Sequence, residues 1–366
     1  MKKIMVVLGT RPEAIKLCPL IRELKQRPAF DVFICSTGQH RAMLDSACAA
    51  FSVKPDFDMD VMRTGQTLSD VTARILKKAD EILVAEQPDL VLVQGDTSTA
   101  FAGALSAFHR RIPIGHVEAG LRTYCIREPF PEEFHRQAIS HIADYHFAPT
   151  VTAKRNLLRE GIPDRSVFIT GNTVVDALRI TLTEKKPLYQ WNLPPDKRVV
   201  IFTAHRRESF GEPIRNMLLA LRKIVETTPD VLVFFPVHHN PEVRRVAIEI
   251  LKGVPRIRML EPPEIVTFHH LLSKAYLVLT DSGGIQEEAS ALGIPTIVMR
   301  YSSERTEGIR AGVLKLAGSG EEGIVSLAQR LLAPNSEDYL AMRKPSAIYG
   351  DGNASVRIAN ILEKEL

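Results

Sequence analysis

The chain has 366 residues, of which 45% are hydrophobic and 25% are charged. This length suits two α/β domains of ordinary size, and this balance is typical of a soluble globular protein. The formal net charge is only +4, and the sequence has neither a Lys/Arg run nor an alternation of aromatic and basic residues, which favours an enzyme over a nucleic-acid-binding protein.

The first apolar run follows two lysines and ends at Gly9. It is shorter than a signal-peptide core, and no stretch approaches the ~20 apolar residues of a membrane span, so we interpret it as a buried strand and expect no membrane insertion. The four cysteines show neither C-x-x-C nor metal-ligand spacing, so we expect reduced thiols, no metal and a cytoplasmic location. They are Cys18, Cys35, Cys48 and Cys125.

Short apolar runs alternate with amphipathic stretches, which predicts βαβ units and parallel sheets. The predicted strands cover residues 3–8, 32–36, 90–94, 113–117, 167–170, 198–203, 231–236, 257–260, 276–280 and 295–299. Helical periodicity is clearest over residues 12–24 and 99–110, where apolar residues recur at three- and four-residue spacing.

Residues 181–197 break this alternation with three prolines, mixed charge and no sustained period, so they are predicted to connect two domains. We predict an N-terminal domain over 1–180 and a C-terminal domain over 198–345. The segment 346–366 includes a helical pattern over 353–365, which is expected to pack back on the first domain. Two doubly wound domains facing a cleft would place ligands at the carboxyl ends of their strands.

Polar residues follow the predicted strands of the first half. Arg11 comes after the first strand, near a helix N-terminus where anions bind, although an ordinary turn explains it equally well. Asp96 follows the strand at 90–94, and its default interpretation is a helix cap. Glu118 follows the next strand, where an unpaired carboxylate would be costly. Two successive strands ending in carboxylates indicate a site.

A third acidic position follows in PFPEE, where Pro131 and two glutamates predict a helix start with favourable dipole interactions. Glu132 and Arg136 are four residues apart and share one helix face, directed at the cleft or at solvent. The buried face of this helix is predicted to consist of Phe134, Ala138 and Ile142.

In the second half, a strand leads into His205 and two arginines, Arg206 and Arg207, a cluster suited to a diphosphate. Another leads into the turn Ser282, Gly283 and Gly284, where backbone N–H groups can approach a phosphate. Glu288, one turn into the following helix, is placed to accept from ribose hydroxyls. Glu287 is interpreted as a first-turn dipole residue. The G-x-G-x-x-G match at 318–323 is rejected as a dinucleotide site, because glutamates stand where a pyrophosphate would bind.

Taken in order, these stretches resemble the non-hydrolysing UDP-N-acetylglucosamine 2-epimerase family. The matching pieces are GTRPEAIK, TGQHR, QGDTSTA, GHVEAGLRT, PFPEE, ITGNTVVDAL, AHRRESFG, FPVHHNP, LTDSGGIQEEASALGIP, SERTEG and YGDG, and they span residues 9–352. The resemblance implies a glycosyltransferase-B-like fold, a homodimer, no cofactor or metal, and epimerisation through UDP elimination to 2-acetamidoglucal and re-addition. It also implies that the N-terminal domain forms the sugar and acid/base side and that the C-terminal domain binds UDP.

Carried over by position, the resemblance implies acid/base roles for Asp96, Glu118, Glu132 and His205. It implies that the nucleotide sugar is held by Arg11, Lys16, Arg136, Ser282, Gly283, Gly284, Glu288 and Arg305. It also implies a second, activating nucleotide-sugar site lined by Gln39, Glu132, Arg207 and His238.

The chain departs from the family pattern at several positions near the inferred pocket. The departures are His135 for Asn, Tyr301 for Asp, Thr306 for Pro, Val313 for Thr and Ser290 for Pro. At the second site, Ala42 and Gly65 replace Gln and Arg, which predicts weak activation. Four rival functions stay open: a glycosyltransferase of this fold, an epimerase of a modified N-acetylhexosamine, a hydrolysing epimerase and a catalytically silent nucleotide-sugar sensor.

Overall fold

The computed structural model describes residues 1–38, 41–63, 65–206 and 209–366. The chain forms two compact units, one comprising Met1–Thr183 with Tyr349–Leu366 and the other Glu184–Ile348. Each contains one parallel β-sheet with helices between the strands, so the predicted α/β class is confirmed. No helix within the described residues is long and apolar enough to cross a membrane.

The first unit has a seven-stranded sheet in the order β3-β2-β1-β4-β5-β6-β7. Its strands are β1 (Lys2–Leu8), β2 (Phe30–Ser36), β3 (Phe57–Asp58), β4 (Leu90–Gln94), β5 (Ile114–Val117), β6 (Tyr145–Ala148) and β7 (Val167–Ile169). Its helices are α1 (Arg11–Lys25), α2 (Arg41–Ala50), α3 (Leu68–Glu86), α4 (Ser98–His109), α5 (Glu132–Ile142), α6 (Val151–Arg159), α7 (Thr173–Thr183) and α15 (Ala354–Glu365).

The second unit has a six-stranded sheet in the order β10-β9-β8-β11-β12-β13. Its strands are β8 (Arg198–Thr203), β9 (Val231–Pro236), β10 (Ile257–Leu260), β11 (Leu277–Thr280), β12 (Thr296–Val298) and β13 (Leu314–Leu316). Its helices are α8 (Glu212–Thr227), α9 (Pro241–Leu251), α10 (Ile265–Leu272), α11 (Gly283–Leu292), α12 (Thr306–Arg310), α13 (Glu321–Leu332) and α14 (Glu337–Met342).

The central strands contain continuous apolar runs because both faces of a doubly wound sheet are covered by helices. The five consecutive apolar residues from Ile4 to Leu8 of β1 are all buried, and every residue of β4 is buried. In both sheets the strand order reverses beside the first strand, between β1 and β4 and between β8 and β11. A crevice opens at the carboxyl ends of the strands at such a reversal, and ligands bind there.

The chain returns to the first unit through α15, which packs against α1 and α7. Asp176 of α7 caps this helix, since its two carboxylate oxygens accept from the backbone N–H groups of Ala354 (3.1 Å) and Ser355 (2.7 Å). The segment before α15 is tied to the same unit, because the amide of Asn172 donates to the carbonyl of Tyr349 at 2.6 Å.

Candidate functional site

The loop between β1 and α1 is fixed by a capping box. Thr10 is the N-cap, and the buried Glu13 carboxylate accepts from the amides of Gly9 (3.1 Å) and Thr10 (2.8 Å). The other Glu13 oxygen accepts from Thr97 Oγ1 at 2.6 Å, so this side chain ties the loop after β1 to the loop after β4. Burial raises the pKa of Glu13 to about 7, despite these hydrogen bonds.

Glu118, directly after β5, is enclosed by donors. Its Oε1 accepts from Lys16 Nζ (2.6 Å) and Asn172 Nδ2 (2.7 Å), and its Oε2 accepts from Lys16 Nζ (2.7 Å) and Gln94 Nε2. The residue is 6% exposed. A carboxylate offers about four lone-pair sites, so these four contacts fill them. The structure therefore brings together Lys16 and Glu118, which the sequence assigned to different tasks.

Asp96, after β4, is also paired. Its Oδ2 accepts from Arg136 Nη1 at 2.5 Å, and its side chain is 29% exposed. It does not cap α4, because the N-cap is Thr97, whose hydroxyl accepts from Ala100 N. The default interpretation of Asp96 as a cap was therefore wrong. The carboxylate is left to its ion pair and to whatever molecule approaches its exposed side.

The predicted buried face of α5 was also wrong. Phe134 is 43% exposed, and the buried side carries polar residues, among them Glu133 and Arg136. Arg136 donates to Glu133 Oε2 through Nε (3.1 Å) and Nη2 (2.6 Å). Because this ion pair is buried, the helix is rotated so that the predicted apolar face is not the buried one. Burial acts to raise the pKa of Glu133, but the Arg136 charge and hydrogen bonds outweigh it, and the pKa is lowered. Glu132 begins α5 and is partly exposed.

In the second unit, Asp281 organises the loop after β8. Its carboxylate accepts from the amides of His205 and Arg206, each at 3.0 Å, and from Ser209 Oγ at 2.9 Å. The His205 ring stacks on that of His238, with 5.6 Å between centroids, and its side chain is 40% exposed. Gln39 and Arg207, which the resemblance places in the activator site, lie outside the described residues.

The Arg305 guanidinium lies against the start of α11, and together with the turn at 282–284, which the sequence predicts to hold a phosphate, it is called the cradle below. A Cβ atom at Gly283 would lie 2.5 Å from Arg305 Nη1, so only glycine leaves room for this contact. Arg305 Nε donates to the buried Glu287 at 2.9 Å. Glu287 lies beyond the first turn of α11, so its interpretation as a first-turn residue was wrong. Ser282 is the N-cap, and the N–H groups of the next residues point outward from the helix.

The Glu304 carboxylate, next to the cradle, accepts hydrogen bonds from three arginines. Arg206 Nη2 (3.2 Å) and Arg305 Nη1 donate to its Oε1, and Arg300 Nη1 (3.1 Å) donates to its Oε2. Although burial opposes the shift, the three guanidinium groups hold the pKa of Glu304 well below its usual range. With Glu287 included, three cations face two carboxylates, which leaves a net positive charge suited to a diphosphate.

Glu288 lies on the same helix, is 6% exposed and has His269 Nε2 at 3.4 Å from its Oε1. Arg11 is the first residue of α1 and is partly exposed. Apart from its own stretch of helix, no described residue lies within 4 Å of the position of a Cβ added at Gly284. Among the described residues, no three His, Cys, Asp or Glu side chains come close enough to bind a metal ion.

The residues that depart from the family pattern differ in burial and in the atoms they contact. Tyr301 is 79% exposed and its ring covers Gly318, where an added Cβ would lie 2.7 Å from it. Thr306 is the first residue of α12, whereas Val313 is buried. Ser290 is buried and its hydroxyl donates to the carbonyl of Gln286 at 2.7 Å.

Sequence reasoning missed the two amides that hold Glu118. Gln94 is the only polar residue of a buried strand, and Asn172 follows the predicted strand at 167–170. The signal that selected Asp96, a polar residue at the carboxyl end of a strand, would have selected both. Glu133 was passed over for Glu132, because the two neighbours are indistinguishable until the orientation of α5 is known.

A family model described as UDP-N-acetylglucosamine 2-epimerase matches residues 22–363. The chain is 48% identical over 360 residues to UDP-N-acetylglucosamine 2-epimerase of Bacillus subtilis, covering 98% of this chain and 94% of that protein. The crystal structure of UDP-GlcNAc 2-epimerase from Neisseria meningitidis bound to UDP-GlcNAc has a TM-score of 0.94 at 41% identity, covering 99% of this chain and 100% of that one. The glycotransferase of kitacinnamycin, at 14% identity, coverages of 100% and 98%, and a TM-score of 0.66, is similar in fold alone.

Proposed function

This chain belongs to the UDP-N-acetylglucosamine 2-epimerase family, a family of isomerases, and on that premise we propose that it interconverts UDP-GlcNAc and UDP-ManNAc without hydrolysis. The observation that carries the proposal is the pair of carboxylates, Asp96 and Glu118, each joined to a cation at the ends of the adjacent strands β4 and β5. An epimerase of an anionic nucleotide sugar needs a proton-transfer group beside the carbon that inverts and a cation that attracts the substrate. This arrangement supplies the Asp96 carboxylate for the first task and the Lys16 ammonium, held by Glu118, for the second, at one edge of the sheet.

The proposed reaction is an elimination followed by an addition. A base removes the proton from C2 while the bond between C1 and the UDP oxygen breaks, and a C1=C2 double bond forms, giving 2-acetamidoglucal and UDP. UDP then adds back to C1, and an acid protonates C2 on the opposite face. Nothing is oxidised or reduced, so the route uses no nicotinamide cofactor.

Exposure separates the roles of the acidic residues. Asp96 and Glu132 retain accessible surface, so we assign proton transfer to them. Glu118, whose oxygens accept four contacts from Lys16, Gln94 and Asn172, moves a proton only after one of these contacts breaks. We therefore propose that Glu118 contributes first by fixing the Lys16 ammonium, which attracts the anionic substrate.

The second unit supplies the stabilisation of the leaving group. Each positioned acid or base contributes roughly 10²–10⁴-fold, whereas enzymes reach ~10⁶-fold or far more. Charge developing on the departing diphosphate is best stabilised by fixed donors, and we propose Arg305, the amides at the start of α11 and His205 for this task. The Glu304 and Glu287 carboxylates hold Arg305 in place before substrate arrives.

Incubation of the purified protein with UDP-GlcNAc alone, in deuterated water, tests the proposal. We expect UDP-ManNAc to accumulate to a constant ratio, with deuterium at C2 of the sugar in both species by NMR. Free ManNAc and UDP would indicate a hydrolysing epimerase, and turnover only with an added acceptor would indicate a transferase. UDP-ManNAc that retains protium at C2 would exclude the proton-transfer route.

A further inference from the structure

Two histidine rings contact the peptide units on either side of the Asp96 Cα. His116 Nε2 lies 2.8 Å from the carbonyl oxygen of Gly95, and His135 Nδ1 lies 2.8 Å from the carbonyl oxygen of Asp96 itself. The two rings come from different elements, β5 and α5. Consecutive carbonyls of one turn are thus held from two directions.

The direction of both hydrogen bonds follows from the chemistry of the partners. A carbonyl oxygen only accepts, so each facing ring nitrogen carries a proton. Burial lowers the pKa of His116 to about 3 and lowers the pKa of His135, so both rings are neutral near pH 7 and have one N–H each. His116 is 0% exposed, and its other nitrogen has no hydrogen-bond partner among the described residues. Its single donor is directed at the turn that carries Asp96.

Further contacts make this turn rigid. The Gly95 amide donates to the carbonyl of Val117 at 3.0 Å, so Gly95 is joined to β5 through both its N–H and its C=O. The His135 ring stacks on Phe101 of α4, with 4.9 Å between centroids and 8° between planes. The next residue of α5, Arg136, donates to the Asp96 carboxylate. Neighbouring residues of one helix therefore fix the backbone and the side chain of Asp96.

We propose that His116 and His135 are positioning residues that fix the Asp96 carboxylate at the distance and angle needed for proton transfer. This inference rests on the proposed function, in which Asp96 exchanges a proton with the sugar. Neither histidine touches the reacting atoms in this scheme. Rate depends steeply on such placement, since a displacement of about 1 Å can lower turnover by about 10²-fold.

Matched pairs of variants test the inference. His116→Leu and His135→Leu remove the donor, whereas His116→Gln and His135→Asn place an amide nitrogen the same number of bonds from Cβ as the original ring nitrogen. For epimerisation of UDP-GlcNAc we expect kcat to fall about 10- to 100-fold in the leucine variants with KM changed less than about threefold. The amide variants should recover most of kcat. Circular dichroism and thermal unfolding establish which variants are folded.

A leucine variant that keeps kcat, or an amide variant that loses as much as its leucine counterpart, overturns the inference. If His116→Leu does not fold, the His135 pair still decides. A second readout is independent of activity: ¹⁵N NMR of ring-labelled histidines, assigned with the amide variants, should show the Nε2–H tautomer for His116 and the Nδ1–H tautomer for His135. The opposite tautomer or a charged ring at pH 7 overturns the inference, while inactive wild-type protein with the expected tautomers contradicts only the proposed function.

Discussion

The ammonium of Lys16 contacts both oxygens of Glu118, at 2.6 and 2.7 Å, although the two residues are 102 positions apart in the chain. Glu118 also adopts a φ of +66°, a left-handed conformation that costs a non-glycine residue of order 1–3 kcal/mol. Strain and a buried ion pair at one residue both reduce stability relative to an apolar alternative. Their combination at the end of β5 supports the proposal that this arrangement serves the reaction.

The buried pair predicts strong coupling between Lys16 and Glu118. Lys16→Met leaves a buried carboxylate without its cation and Glu118→Gln leaves a buried ammonium, so each single change should lower the free energy of unfolding by about 3–5 kcal/mol. The double variant should lose clearly less than the sum. Urea unfolding of the four proteins at pH 7.5 gives the coupling energy.

Lys78 and Glu81 provide the matched control, because their ammonium and carboxylate are 3.0 Å apart but their side chains are each 52% exposed. Exposed pairs contribute about 0–1 kcal/mol, so the corresponding cycle should show almost no coupling. Equal coupling in the two cycles would contradict the importance of burial at Glu118.

Glu13 predicts a pH-dependent term in stability. The pKa of Glu13 is about 7 in the folded protein and 4.5 when the side chain is not buried, as in the unfolded chain. Between pH 4.5 and pH 7 the folded state therefore binds more protons than the unfolded state. The stabilising contribution of the protonated form is therefore complete below pH 4.5 and is lost as the pH rises through 7. At about 1.4 kcal/mol per pKa unit, the total is on the order of 3 kcal/mol.

Glu13→Gln does not titrate and isolates this term. The free energy of unfolding of wild type minus that of the variant should decrease from pH 4.5 to pH 8, measured by denaturant titration at each pH. The subtraction cancels the titration of all other groups. A difference that stays constant or rises with pH would show that the hydrogen bonds from Gly9, Thr10 and Thr97 outweigh burial at this carboxyl.

Much of the fold was accessible to sequence reasoning because buried parallel strands are continuous apolar runs. The predicted strands at 90–94, 198–203, 231–236 and 257–260 agree with β4, β8, β9 and β10 to the residue. The strand β6 was missed, since Tyr145 and His146 interrupt its apolar character, and β3 is only two residues long. Such strands depend on pairing with neighbours, which a linear pattern does not contain.

The sequence identified polar residues of the candidate site, but it did not identify which cation contacts which carboxylate. Polar residues at strand ends identify Asp96 and Glu118, because parallel strands bring these ends to one edge. Which cation each carboxylate contacts depends on the rotation of α1 and α5 about their axes. For α5 the periodic pattern indicated the wrong rotation, since a buried ion pair replaced the apolar stripe.

The close contact between Gly283 and Arg305 allows a steric test of whether the cradle binds the diphosphate. A methyl group there would overlap the Arg305 guanidinium, so Gly283→Ala should displace Arg305 and weaken UDP binding about tenfold or more. At Gly284 an added Cβ meets nothing within 4 Å from the described residues outside its own stretch of helix, so any loss in Gly284→Ala reports only the approach of the ligand. Calorimetric titration with UDP measures both affinities. Undiminished affinity in Gly283→Ala would remove Arg305 from the binding site.

The sequence departures at Ala42 and Gly65 predict weak activation by UDP-GlcNAc. Ala42 offers no side-chain hydrogen bond and Gly65 no guanidinium, and losing one charge-assisted contact, about 1.5–3 kcal/mol, weakens binding about ten- to a hundredfold. With UDP-ManNAc as sole substrate, we expect progress curves that are linear from the start. Adding a trace of UDP-GlcNAc should therefore not change their initial phase. Ala42→Gln, at an exposed position of α2, should create a lag that trace UDP-GlcNAc shortens.

A long lag in the wild-type protein, abolished by micromolar UDP-GlcNAc, would show instead that other groups complete the activator site. Arg63 is the neighbouring cation to test in that case, and its guanidinium contacts Asp60 at 3.2 Å. Arg63→Ala should then remove the response, whereas Arg74→Ala, on α3, serves as a control of similar charge.

The capping of α15 by Asp176 has a consequence for the order of events during synthesis. The first unit is built from two segments that flank the second in the sequence, whereas Glu184–Ile348 is continuous. Helices α1 and α7 leave the ribosome before the second unit, and their shared partner α15 leaves after it, so the second unit can become compact while the first still lacks a wall of its core. During that interval the apolar surfaces of α1 and α7 are exposed to chaperones and to other nascent chains.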